Sequence, residues 1–211
     1  MAEYRLYCFA QSGNAYKPAL MLNLCGAEWE PVFVDFFNGG ARTAEYLKLN
    51  AMGEVPVLID GERTLTQSGA ILHYLADRFG RFGPETRDEG YDILRWMFWD
   101  NHKLTASIAS LRFLIQFART GETDVTKFLR GRMMAALKVL DGHLKAADFV
   151  AAARPTIADV SLCGYLFWPD EFGVSWDDYP GIAPWLARLE TLDGWVHPYK
   201  LMPGHPLPAK G

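Results

Sequence analysis

The stretch Gly53-Glu54-Val55-Pro56-Val57-Leu58-Ile59-Asp60, followed after a short turn by Thr64-Leu65-Thr66-Gln67-Ser68-Gly69, constrains this chain more than any other. A proline stands directly before an apolar, β-branched run, and soon afterwards a Gln-Ser pair opens an amphipathic helix pattern. Proline cannot donate a ladder hydrogen bond, so within a sheet it is confined to an edge or to the first position of a strand. Pro56 takes the first position. If Val55-Pro56 is cis, the chain turns sharply and Val55 offers its backbone N–H and C=O to whatever lies beside the sheet. If it is trans, as most X-Pro bonds are, this is an ordinary loop-to-strand proline.

The surrounding pattern gives that strand a sheet. Leu6 to Phe9 reads as a strand, and Ala10-Gln11-Ser12-Gly13-Asn14 as a small-residue loop ahead of a helix. That helix carries Leu20, Met21, Leu24 and Cys25 on one face, tolerates Pro18 only near its start and stops at Gly26. Trp29 to Phe37 is a second strand, and Thr43 to Leu49 a short helix. Val57-Leu58-Ile59 is the third strand, Asp60-Gly61 a hairpin turn, and Thr64 to Gln67 an antiparallel fourth. Ile71, Leu72, Leu75, Ala76 and Phe79 then line a helix that Ser68 caps and Gly80 ends. The order β-α-β-α-β-β-α over residues 1–80 is that of a thioredoxin-like α/β domain.

Residues 81–90 form a linker, and from Tyr91 to the end the period is helical throughout, so the expected fold is α/β plus all-α. One long helix is expected from about Asp88 to Arg119, with Leu94, Phe98, Ile108, Leu111 and Ile115 inward. A second, Asp124 to Leu144, turns Phe128, Leu129, Met133, Leu137, Leu140 and Leu144 inward. Thr156-Ile157-Ala158-Asp159 is a capping box that starts a helix to about Trp168. A last helix lies within Pro180 to Leu192, and a Pro-rich tail runs from Trp195.

Composition excludes several partners. The net charge of -4 is spread over interspersed acids and bases, which suits neither nucleic acid nor a membrane surface. The most apolar stretch, Val160 to Trp168, is far short of the ~18 residues that span a bilayer. The N-terminus enters a strand pattern without a signal region, so a cytoplasmic protein is expected. Cys8, Cys25 and Cys163 fit neither a metal site nor a disulfide framework and read as inert core thiols; no metal is expected.

A thioredoxin-like half, a strand-opening proline after Val55, the Gln67-Ser68 pair at the head of a helix, and an all-helical half with this capping box together resemble the cytosolic glutathione transferase superfamily. The Ser12-Gly13-Asn14-Ala15-Tyr16-Lys17 segment looks most like bacterial serine-type members. The resemblance implies a cis Val55-Pro56 bond, with Val55 binding the cysteinyl backbone of glutathione and Pro56 setting the geometry. It implies that Gln67 and Ser68 hold the γ-glutamyl end. Position 67 is Glu in most members, so Gln67 brings no charge for the ammonium. Position 54 is often Lys or Gln and reaches the glycine carboxylate; Glu54 would repel it, and Arg42 or Lys48 would take over. Ser12 falls at the catalytic position, with Asn14 as helper; on local pattern alone, Ser12 is a turn former and Asn14 a helix cap. The second substrate is expected against the long helix, near Trp99, His102 and Phe113, with Arg112 another polar candidate there.

The expected activity is conjugation of reduced glutathione, as co-substrate, to small electrophiles by a homodimer without a prosthetic group. Glutathione-dependent peroxide or disulfide reduction, isomerisation, and a non-catalytic binding or regulatory role are the alternatives. Ser12-Gly13-Asn14-Ala15 stands where thioredoxin-like redox proteins carry Cys-x-x-Cys, which counts against an autonomous disulfide exchanger.

Overall fold

The computed structural model describes residues 2–206. They divide into two compact units, the first running to Gly83 and including Leu192–Pro206, the second spanning Pro84–Thr191. The sequence reading put the whole tail with the helices. Instead Leu192–Pro206 belongs with the sheet, held there by contacts that no local pattern announces.

In the first unit, β1 (Tyr4–Cys8), β2 (Trp29–Phe33), β3 (Val57–Asp60) and β4 (Arg63–Thr66) form one sheet in the order β2-β1-β3-β4. β1 pairs parallel with β2 and antiparallel with β3, and β3 pairs antiparallel with β4. The run Val57-Leu58-Ile59 is buried throughout, because the strand is covered on both faces. One cover is the cluster of Val34, Ala41, Tyr46, Val57 and Ile59, with Tyr7, Phe36, Leu49 and Val55 against it. Helices α1 (Gly13–Leu24) and α3 (Ser68–Phe79) pack on each other and bury Leu20, Leu24, Ile71, Leu72 and Leu75. α2 (Ala44–Leu49) starts at Thr43, whose hydroxyl accepts from the Tyr46 amide at 3.2 Å.

Two local expectations shift. β2 ends at Phe33, and Phe36–Asn38 turns as a 3₁₀ segment, so the strand is shorter than the apolar run that suggested it. Gln67, not Ser68, occupies the cap position of α3; it makes no side-chain cap, and Ser68 is the first helical residue.

The second unit is helical: α4 (Arg87–Trp99), α5 (Thr105–Arg112), α6 (Asp124–Leu144), α7 (Ile157–Leu162) and α8 (Ile182–Glu190). The helix expected over 88–119 is interrupted by π-helical turns at Asp100–Leu104 and Phe113–Phe117. Its buried apolar residues include Ile93, Trp96, Met97, Leu104, Ile108 and Leu111. Leu94 and Phe98 therefore face outward, 36% and 70% exposed, as does Phe128 on α6 at 63%. The capping box at Thr156 and Asp159 forms as expected, with the Thr156 amide donating to Asp159 Oδ2 at 2.8 Å. Its helix is shorter than expected, since Cys163–Tyr165 tightens to 3₁₀ before Trp168. α9 (Pro198–Leu201) lies in the tail. No helix among the described residues is long and apolar enough to cross a membrane.

Candidate functional site

The sheet register brings three chain segments to one edge. Tyr7 stands opposite Val57, and Val57 opposite Thr66. The loop leaving β1 with Ser12, the Val55-Pro56 pair entering β3, and Gln67-Ser68 leaving β4 therefore emerge at the same end. Because β2 runs parallel to β1, its exit through Val34 and Asp35 lies at that end too. The Val55-Pro56 peptide is cis, as the resemblance implies.

Ser12 caps α1. Its Oγ accepts from the Ala15 amide at 3.1 Å, and its own amide donates to the Phe9 carbonyl at 3.0 Å. It is 7% exposed. A hydroxyl that accepts a capping bond keeps its hydrogen free for another acceptor. Asn14 is not the cap: it is the second helical residue, and its Oδ1 is buried with no hydrogen-bond partner. Pro18, sixth in the helix, supplies no amide to the Asn14 carbonyl.

The approach to Pro56 is built from below. The Glu54 carbonyl accepts from the Tyr46 hydroxyl and from Asn50 Nδ2, both at 2.8 Å. Asn50 Oδ1 in turn accepts from the Met52 amide at 3.1 Å. Gly53 has φ +61°, and a Cβ there would stand 2.5 Å from an Arg42 guanidinium nitrogen and 2.9 Å from the Ala41 carbonyl. Only glycine permits this approach. Burial pushes the Tyr46 phenol up, so it remains a donor. Tyr46 and Asn50 were missed in the sequence; the signal was an Asn just ahead of a Met-Gly turn.

The Gln67 side chain donates to Glu54 Oε2 and to Met52 Sδ, both at 3.3 Å. Its backbone sits at φ 66°, ψ 111°, a conformation costing a non-glycine residue about 1–3 kcal/mol that its surroundings must hold. Neither Glu54 nor Gln67 is buried. Arg42 donates to the Met52 carbonyl at 3.3 Å, against the Glu54 loop, whereas Lys48 is exposed in the last turn of α2.

Burial pushes the Cys8 thiol up to about 12, so the cysteine at the end of β1 supplies no thiolate at neutral pH.

In the second unit, Trp99 is half-buried with its ring 5.4 Å from Trp96. His102 is exposed on the first π-helical turn, and Phe113 is exposed at the start of the second. Arg112 is buried and committed elsewhere: it binds Glu171 at 2.7 and 2.8 Å and lies 3.8 Å over the Trp168 ring.

The N-terminal domain model of glutathione S-transferase matches residues 2–77, and its C-terminal domain model matches residues 102–193. Glutathione S-transferase 2 of Schizosaccharomyces pombe is 30% identical across 90% of this chain and 91% of its own. Maleylacetoacetate isomerase of Rhizobium meliloti is 29% identical over 95% of this chain and 99% of its own. A solved structure of a possible glutathione S-transferase from Rhodopseudomonas palustris superposes with a TM-score of 0.88 at 36% identity, over 93% of this chain and 98% of that one. With both family domains in place and relatives matched along nearly their whole length, the chain belongs to the glutathione S-transferase family and is a glutathione-dependent enzyme of that fold.

Proposed function

We propose that this enzyme conjugates reduced glutathione to small electrophiles, with the Ser12 hydroxyl donating to the glutathione thiolate. The observation that carries the reading is the register Tyr7–Val57–Thr66, which gathers Ser12, Val55 and Gln67-Ser68 at one edge of the sheet. A thiol with a pKa of ~8.5 is mostly protonated at neutral pH, and lowering it by about two units takes roughly 2.7 kcal/mol of preference for the anion. A hydrogen bond to a charged acceptor supplies about 1.5–3 kcal/mol. The N-terminus of α1 adds about 0.3–1 kcal/mol. The two together bracket that requirement, and the Asn14 amide is a second donor.

Val55 binds the cysteinyl backbone, and the γ-glutamyl carboxylate docks at the start of α3, where Gln67 makes no side-chain cap. Glu54, turned onto Gln67, supplies the carboxylate that faces the γ-glutamyl ammonium, and Arg42 takes the glycine carboxylate. The electrophile binds near Trp99, His102 and Phe113. The enzyme needs no prosthetic group and works in the cytoplasm as a homodimer. The dimer is supported by Tyr91, Leu94 and Phe98, exposed one above another on α4 at i, i+3 and i+7.

Retention on immobilised glutathione, and loss of turnover in Ser12→Ala without loss of fold, test this reading. Glutathione-dependent isomerisation is the second reading, favoured by the end-to-end similarity to a maleylacetoacetate isomerase. Parallel assays with an aryl halide and a cis-enedione separate the two.

A further inference from the structure

The tail is bound to the residues that lead into Ser12. The Ala10 amide donates to the Pro203 carbonyl at 2.8 Å. Gln11 Nε2 donates to the His205 carbonyl at 2.7 Å, and the His205 amide returns a bond to Gln11 Oε1 at 3.2 Å. The Gln11 side chain thus pairs with the tail as a peptide group would. Gly204 passes so close that a Cβ there would stand 2.7 Å from Ala10 Cβ and 2.9 Å from Gln11 Oε1. The His205 ring fills a socket of Phe9, Phe33 and Phe37, with ring centroids 5.7, 5.1 and 4.4 Å away. Its side chain is only 9% exposed, with Nδ1 3.5 Å from Asp35 Oδ1. Further back, the Tyr16 hydroxyl and Asn23 Nδ2 hold the tail through the Val196 and Gly194 carbonyls at 3.0 and 2.5 Å.

Each of the three residues before Ser12 is therefore gripped by the tail: Phe9 by the His205 ring, Ala10 by Pro203, Gln11 by His205. The Ser12 amide then hangs on the Phe9 carbonyl. The capping bond from Ala15 orients the Ser12 hydroxyl, but where the residue stands depends on how the residues before it are held, and a displacement of about 1 Å at a reacting group costs up to ~100-fold in rate.

We propose that the segment Pro203–His205, through Gln11, is a positioning device for Ser12, so that the tail takes part in activating the glutathione thiol without touching it. The inference rests on Ser12 being the thiolate donor. Its test is the pH titration of the thiolate absorbance of glutathione bound to the full-length enzyme, comparing Gln11→Met, which empties the clamp from the loop side, with Gly204→Val, which pushes it open from the tail side. Both variants are expected to fold and bind glutathione, to raise the apparent pKa of the bound thiol by about one unit, and to lower kcat/KM at neutral pH about tenfold. Combined, they are expected to do no more than the worse single change. If either fails to fold, Gly204→Ala makes a smaller intrusion at the same contact, and His205→Ala removes the ring from its socket while keeping the backbone bonds to Gln11.

Variants that melt earlier but keep the wild-type thiol titration and kcat would overturn the proposal, leaving the tail a merely structural strap. An unmodified enzyme whose bound glutathione does not titrate below free glutathione would instead overturn the Ser12 reading, and the tail's role with it.

Discussion

Gln67 Nε2 lies 3.3 Å from Glu54 Oε2, so the carboxylate expected against the glycine end of glutathione is turned instead toward Gln67, the residue proposed for the γ-glutamyl end. The two placements predict opposite effects. If Glu54 faces the ammonium, Glu54→Gln raises the KM for glutathione about tenfold, the loss of one charge-assisted hydrogen bond, with kcat little changed. Repulsion of the glycine carboxylate would make the same substitution lower KM. Steady-state kinetics with glutathione varied decides between them.

The Glu54 carbonyl carries two donors, Tyr46 and Asn50. Tyr46→Phe removes one and leaves the other, so a stability loss of about 1 kcal/mol is expected, with a small rise in KM. Tyr46→Phe with Asn50→Ala frees the loop and is expected to raise the KM for glutathione more than the two single changes combined. Urea unfolding and initial-rate kinetics check both halves.

Asp159 concentrates the opposite kind of effect, stability without chemistry. Its buried carboxylate accepts from the Val150 and Thr156 amides at 2.9 and 2.8 Å and from Trp185 Nε1 at 2.9 Å. Asp159→Ala takes the acceptor from these three donors and from the Thr156 hydroxyl at 3.1 Å, a loss of at least ~3 kcal/mol. The KM for glutathione of the folded fraction is expected to stay unchanged, which denaturant titration alongside kinetics measures.

Asp141 gives the helical unit an acid-sensitive joint. Burial alone would raise its carboxyl, but the Lys145 ammonium at 2.7 Å and the Gly181 and Ile182 amides outweigh that and hold it below the usual range. A depressed folded pKa contributes stability above the unfolded value of ~3.9 and loses it as pH falls through the folded value. Asp141→Asn is therefore expected to destabilise by about 1.5–3 kcal/mol at pH 7, with the gap to wild type closing below about pH 4. A gap that persists unchanged at acid pH would show that the charge is not what matters.

The exposed stripe Tyr91, Leu94, Phe98 is the surface proposed for a second copy. Phe98→Glu is expected to shift the enzyme toward monomer in sedimentation while leaving its circular dichroism intact.

Much of the fold was legible because it is written in local chemistry. A proline heading an apolar run marked β3, a glycine after Phe79 ended α3, and Thr156 with Asp159 announced a helix start. What the sequence hid were long-range effects. Leu94, Phe98 and Phe128 read as core because apolar spacing cannot tell a buried stripe from one left for another surface. The end of β2 at Phe33 was hidden because Val34 and Phe36 still serve the core after the chain has left the ladder. Ser12 and Gln67-Ser68 stood out as candidates, whereas Tyr46 and the Gln11–His205 clamp did not, and Asn50 left only a weak turn signal. Their partners are backbone carbonyls and amides, which every residue carries and no pattern distinguishes.

The central claim, that Ser12 lowers the pKa of the glutathione thiol, is tested most directly by titrating the thiolate of glutathione bound to wild type and to Ser12→Ala. Loss of the α1 cap is expected to cost about 1 kcal/mol of stability and leave the fold intact. The account predicts a bound thiol well below ~8.5 in wild type that returns most of the way to that value in Ser12→Ala. A titration that Ser12→Ala leaves in place would contradict it.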